Sequence, residues 1–244
     1  MPTLEKILSF FISIRTASWL LIALICLLLF GSVAMPAHEE FLALHTVALF
    51  AWMQEMPVDI TWWLWASLGV LSLLAANTIV CSIESVVRKR DARQWLLIIS
   101  PQIMHIGFLF ILLAHLLSSF GSVKGITYAY KDTTLQLSNN LVVRFNQVHA
   151  AVDASGYVID WSADIEYLRD GVSLATDRIL PNSPSFRDGI GIYIKTVKAH
   201  PFPVAMIEVS REPGAFWALA GGALFMAGMV TLLALKISRE GMAS

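Results

Sequence analysis

Charged side chains are scarce in this chain. Its 244 residues carry 17 Lys and Arg and 18 Asp and Glu, 14% in all, where a water-soluble domain has about a quarter. With 57% hydrophobic residues and a mean hydropathy of +0.67, the composition excludes a soluble globular protein and describes a multi-spanning membrane protein. Cysteine is scarcer still. Cys26 and Cys81 are the two present, both in apolar stretches and far from any CxxC or CxxCH pattern. That excludes a disulfide framework, a cysteine metal site and covalent haem attachment to this chain. A Gly-rich phosphate loop, GxSxG, HExxH and an acid pair inside a span are all missing, so nucleotide hydrolysis, serine hydrolysis, zinc proteolysis and proton-coupled transport lack their usual parts. No basic patch offers itself to nucleic acid. No internal repeat or low-complexity segment stands out.

What is present is apolar length. Crossing a hydrocarbon layer of about 30 Å takes about 20 apolar residues, and uncharged runs of that size fall at 16–35, 61–83, 96–119 and 214–235. Four transmembrane helices follow. Lys6 and Arg15 precede the first, Arg88, Lys89, Arg90 and Arg93 crowd the link between the second and third, and Lys236 and Arg239 follow the fourth, whereas the first link carries Glu39, Glu40, Glu55 and Asp59 and no Lys or Arg. By the positive-inside rule both termini and the 84–95 link are cytoplasmic. The run ending in Ser32-Val33-Ala34-Met35-Pro36-Ala37 has the flanks of a signal peptide, but its apolar stretch is long for one and reads as a retained helix. Trp62, Trp63 and Trp65 open the second span, either as interface anchors or as a flat platform for a porphyrin. Between Pro36 and Pro57, residues 38–56 space their apolar side chains helically and read as an amphipathic helix on the outer surface.

Residues 121–213 lose the apolar runs and acquire strand signals. From Trp161 to Tyr167 apolar and polar residues alternate, the period of a half-buried strand, and Asp170-Gly171 then supplies a tight turn before 172–179. Further strands are expected at 126–130, 133–137, 141–149, 190–197 and 204–210, with breaks at Asn139-Asn140, Ser155-Gly156, Pro181 to Pro184, and Pro201/Pro203. The predicted fold is a membrane α-helical bundle of four transmembrane helices with an antiparallel β extracytoplasmic domain inserted between helices 3 and 4. Its divisions are 1–120 (helices 1–3 with the outer segment 38–56), 121–213 (the β domain) and 214–244 (helix 4 and a cytoplasmic tail).

Of six histidines, His105 and His115 lie in the third span, where an ionisable side chain is costly unless paired or ligated. Neutral imidazole suits iron, one nitrogen binding the metal while the other donates a hydrogen bond. Each of the two is either a haem ligand or a histidine hydrogen-bonded to a neighbouring helix. Ten residues give about 15 Å of rise and an offset of about 80°, so the two cannot share one iron. His149 and His200 fall in or between strands and read as surface residues. His38 and His45, two turns apart, are either exposed or ligands at the outer leaflet.

Several short pieces then fall in a telling order: Phe11-Ile12-Ser13-Ile14-Arg15-Thr16 into a Leu-rich helix ending near Gly31-Ser32; Trp62-Trp63 into a helix through Asn77 and Cys81; Met104-His105-Ile106-Gly107-Phe108 opening a helix that runs to Gly121 and Gly125; then Asp170-Gly171, Pro181 to Pro184, Gly191-Ile192-Tyr193, and Glu212-Pro213-Gly214 before the last helix. Over nearly its whole length the chain resembles the ResB-like family, the CcsB component of the system II cytochrome c maturation machinery. The resemblance implies that His105 is the family's intramembrane ligand to a non-covalent haem b. It also implies a CcsA-type membrane partner that supplies its own haem histidines and tryptophan-rich motif, with apocytochrome c as client. Trp62-Trp63-Leu64-Trp65 is not that motif, so attachment chemistry belongs to the partner. The outer domain is shorter than many in the family, and His115 stands where small residues are usual, which makes it a candidate second iron ligand. The implied setting is the bacterial inner membrane, with the β domain periplasmic.

The expected role is therefore binding and orientation in a cytochrome c synthetase complex, since no nucleophile or acid–base pair is present. The rival class is a haem b subunit of a quinone-linked electron-transfer complex, which with only two intramembrane histidines would also need ligands from a partner. A structural assembly subunit without haem is a third reading. The charge layout makes a direct prediction: Asp91→Cys in an otherwise cysteine-free chain reacts with impermeant maleimide only from the cytoplasmic side, and reaction solely from the outside overturns the topology.

Overall fold

In a computed structural model of the chain, the residues described are 10–89, 95–137 and 140–241. Lys6, Arg90, Arg93 and Asn139 lie outside them. Two compact units result, one made of the helices and the other of His45–Val47 with Gly121–Pro213.

The helical unit contains α1 (Ile14–Ala34), α2 (Leu49–Glu55), α3 (Val58–Lys89), α4 (Trp95–Gly121) and α5 (Ala215–Gly241). Of these, α1, α3, α4 and α5 are long and apolar enough to cross a membrane. They outrun the uncharged stretches because helical hydrogen bonding does not stop at the first charged residue. Between α1 and α3 the continuous amphipathic helix expected over 38–56 is absent. Its place is taken by a 3-10 helix at Glu39–His45, a break, and the short α2. The segment folds back on itself because Trp52 packs at a tilt on Phe41, with ring centroids 4.9 Å apart, and donates its indole N–H to the Glu40 carbonyl at 3.0 Å. Ala48, extended at ψ 141°, makes the corner. Pro57 ends α2 by forcing Met56 into an extended conformation, and Asp59 in the first turn of α3 suits that helix's positive end.

The second unit is a sandwich of two antiparallel four-stranded sheets. Its strands are β1 (Val123–Ala129), β2 (Thr133–Gln136), β3 (Leu141–Val152), β4 (Val158–Arg169), β5 (Val172–Ile179), β6 (Ser185–Arg187), β7 (Ile190–Lys198) and β8 (Val204–Arg211). The sheet orders are β1-β8-β7-β6 and β2-β3-β4-β5. Alternation does what the sequence predicts: Ala163, Ile165 and Tyr167 point inward and join Val143, Phe145, Ile192, Ile194 and Ile207 in one core, each large apolar side chain contributing about 1.5–3 kcal/mol. Ser162 breaks the pattern. It belongs to the outward set yet is buried, because the Arg178 guanidinium lies over it and donates to its hydroxyl at 2.9 Å.

Both two-residue hairpins use Asp-Gly with positive φ at each residue, 50° and 81° at Asp170-Gly171 and 51° and 76° at Asp188-Gly189, the geometry whose twist matches the strands. The second turn joins β6 to β7, and β6 is the strand the sequence reading lacks.

On the outer face of β8, Glu208 is buried between two ammonium groups, 3.1 Å from Lys124 Nζ and 3.2 Å from Lys195 Nζ. Burial alone pushes its carboxyl up, but the two lysines together outweigh burial and hold it below the usual glutamate range. A carboxyl whose folded value is depressed stabilises the fold above its unfolded value of about 4.3, and that stability is lost as pH falls through the folded value. We therefore expect Glu208→Gln to lose about 1 kcal/mol at neutral pH and to flatten the acid limb of a melting-temperature profile. An unchanged acid limb overturns this assignment.

Candidate functional site

The helix that carries both intramembrane histidines is fixed by glycine. From the residue before α5 onward, Gly214, Gly221 and Gly228 recur every seventh residue, facing Ala114, Gly107 and Ser100 of α4, themselves seven apart. A Cβ on Gly221 would stand 2.6 Å from the Gly107 carbonyl oxygen; one on Gly107 would stand 2.6 Å from Gly221's, and one on Gly228 would stand 2.8 Å from that of Ser100. At Gly214 the clash with the Ala114 carbonyl would be 2.0 Å, and the Gly214 N–H donates to Ser118 Oγ at 3.3 Å. Small residues let helix backbones approach where lipid supplies no hydrophobic drive. This repeat is already legible in the sequence.

A second close approach joins α1 to α3. A Cβ on Gly31 would fall 2.3 Å from the Trp63 ring, and Asn77 Nδ2 donates to the Phe11 carbonyl at 2.6 Å. The three tryptophans consequently divide. Trp63, 4% exposed, is a core residue packed with Phe41, Trp52 and Met53. Trp62 and Trp65 are 45% and 43% exposed, and Trp62 rests on Phe30. They do not act as one set, because helical spacing turns neighbouring positions to different faces.

His105 is half-buried, and its Nδ1 lies 2.8 Å from Ser82 Oγ of α3. Ser82 differs from most hydroxyls of the spans. Ser67, Ser72, Thr78 and Ser100 each donate to the carbonyl four residues back in their own helix, at 2.7, 2.8, 2.8 and 2.6 Å. Ser82 instead reaches across to the imidazole. With the proton on Nδ1, that nitrogen donates to Ser82 and Nε2 keeps an unshared lone pair; among the described residues Nε2 takes no hydrogen bond. Of the two sequence readings of His105, the hydrogen bond to a neighbouring helix is present, on one ring nitrogen.

The remaining histidines are placed differently. His115 is exposed, and its backbone carbonyl accepts from Ser119 Oγ at 2.7 Å; among the described residues its ring takes no hydrogen bond. His149 Nε2 pairs with Asp164 Oδ2 at 2.7 Å on the outer face of β3 and β4. His38 lies 3.9 Å from Glu40 and edge-on to Phe41, while His45 ends the 3-10 helix and His200 is exposed. Among the described residues no three His, Cys, Asp or Glu side chains gather to hold a metal ion. Any metal at His105 would need its other ligands from a macrocycle or a partner.

No family model matches the chain, and no curated protein matches it in sequence. Among solved structures it is similar to one described as cytochrome c heme lyase CcmF, at 15% identity and a TM-score of 0.46, over 91% of this chain and 35% of that one. The chain thus spans little more than a third of that protein.

The glycine seam yields its own prediction. Gly221→Leu should destabilise the purified, detergent-solubilised protein by about 2–3 kcal/mol, read as a fall in melting temperature. Gly222→Leu, where a Cβ meets nothing within 4 Å, should leave it unchanged. Equal effects from the two would remove the seam from the argument.

Proposed function

We propose that this chain is a ResB-like subunit of a bacterial inner-membrane complex that handles haem and attaches it to apocytochrome c, working beside a CcsA-type protein. The observation that carries the reading is the Ser82–His105 pair. Metal-bound histidines characteristically donate their second ring N–H to an oxygen, which sets tautomer and ring orientation and raises basicity. Ser82 is positioned to do this for His105, across two helices and at 2.8 Å.

In this reading His105 Nε2 would hold the iron of a non-covalent haem b, together with a histidine of the CcsA-type partner. When bound, the haem offers the vinyl groups across which the client's cysteine thiols add. Ser82 holds the imidazole plane, and the small-residue seam holds the helix that bears it. The β unit lies on the periplasmic side, where it orients the apocytochrome. In this role no side chain of this chain need transfer a proton or form a covalent bond. His115 has no orienting partner for its ring among the described residues and is assigned no iron in this proposal.

The test is haem content of the complex, co-purified with its CcsA-type partner and measured as a pyridine haemochrome, together with the yield of holocytochrome c. His105→Ala should lose the haem and the yield while the protein still inserts. Ser82→Ala should weaken haem retention by about 10–100-fold, and Ser82→Thr should restore it. His115→Gly should change neither. Full haem in a well-inserted His105→Ala complex overturns the proposal.

A further inference from the structure

The β sandwich is not sealed on all sides. At the corner where the edge strands β1 and β2 leave the two sheets apart lies a cavity of 390 Å³ lined by Val123, Gly125, Leu135, Leu137, Val209 and Arg211 among others. That volume lies within the range of small-molecule sites, about 300–1,000 Å³. Burial falls off towards it along both strands that flank it. On the inward face of β1, Ala129 is buried, Thr127 half-buried, and Gly125 and Val123 exposed; on that of β8, Ala205 and Ile207 are buried, Val209 half-buried and Arg211 exposed. A Cβ built on Gly125 meets nothing within 4 Å, so the space beside it is open and not filled by packing.

Arg211 completes the feature. The alternation of β8 assigns its position to an inward residue, in register with Val123 on one side and Ile190 on the other, yet that residue is a cation. It forms no ion pair with any described residue, Glu212 beside it included, whereas Arg144, Arg169 and Arg178 each have a carboxylate partner. An apolar slot with one uncompensated guanidinium at its mouth matches an amphiphile with an anionic head. The two flanking strands are also those continuous with spans: Val123 follows the end of α4 at Gly121 by two residues, and Arg211 precedes the start of α5 at Ala215 by four.

We propose that this cavity binds an anionic phospholipid, one acyl chain lying along Val123, Leu135, Leu137 and Val209 and the phosphate pairing with Arg211. This inference is independent of haem binding and stands or falls without it.

The experiment uses the full chain in nanodiscs of equal parts phosphatidylcholine and phosphatidylglycerol, with a trace of either lipid bearing a diazirine at the acyl terminus. Irradiation should label peptides of β2 and β8 in the wild-type protein, phosphatidylglycerol more than phosphatidylcholine. Gly125→Phe, which fills the slot, should abolish that label while leaving label on the spans. Arg211→Gln, which leaves the slot open, should retain the label but reduce the preference for phosphatidylglycerol about fivefold, the equivalent of about 1 kcal/mol for one cation at an anionic surface. Label confined to the spans, label on β2 and β8 undiminished in a folded Gly125→Phe protein, or a headgroup preference untouched by Arg211→Gln each overturns the proposal. So does complete displacement by an equimolar amount of a free fatty acid, which would assign the slot to a soluble acid.

Discussion

Close contact between the backbones of α4 and α5 governs what the helical unit can do. Inside a bilayer there is no hydrophobic gain in bringing two apolar helices together, so association depends on fit and on hydrogen bonds. The Gly107–Gly221 approach supplies the fit, with each glycine's missing side chain replaced by the other helix's carbonyl oxygen. Because α4 is held along its length, the imidazole at position 105 has a fixed height and azimuth. Its pairing with Ser82 of α3 then joins this helix pair to the other, in which Gly31 receives the Trp63 ring. A long, mostly apolar helix would otherwise be free to turn about its axis, and a ligand mounted on it would have no defined direction.

The polar groups of the sandwich are distributed by a similar economy of contact. Its inner face is almost wholly apolar, while its outer faces carry linked polar and charged groups: Arg144 with Glu166, His149 and Arg178 both with Asp164, and Lys124 and Lys195 both with Glu208. The Ser173 hydroxyl and Arg144 guanidinium both favour the ionised form of Glu166 and hold it below the usual carboxylate range. Most polar groups on the inner face are paired, the Trp161 indole N–H excepted. Tyr167 shares a hydrogen bond of 2.7 Å with Ser185, which also donates to Asp177. Arg211 stands apart from this rule.

Much of the fold could be read from local pattern, because a strand's period and a span's length are properties of adjacent residues. The alternation from Trp161 to Tyr167 and the Asp170-Gly171 turn both carry through to the structure. The same turn chemistry at Asp188-Gly189 went unused, and with it β6, whose three residues are too few to show a period. Residues 38–56 show the limit of helical spacing as a guide: the spacing exists, but a Trp52–Phe41 contact eleven residues apart outweighs continuity of the helix. At the candidate site, His105 was legible because an ionisable group inside a span is conspicuous. Ser82 was not, since 23 residues and a charged link separate it from His105, and a serine hydroxyl in a helix ordinarily turns back on its own backbone.

The seven-residue interval between Gly214, Gly221 and Gly228 makes length itself a constrained quantity. Inserting one residue between two of these glycines turns everything beyond it by about 100°, directing a bulky neighbour at the carbonyls of α4 where a hydrogen now sits. Only insertions near whole helical turns keep the faces in phase. In this stretch the chain therefore tolerates exchange of its lipid-facing residues far better than any change in their number, and its history should be one of substitution without insertion.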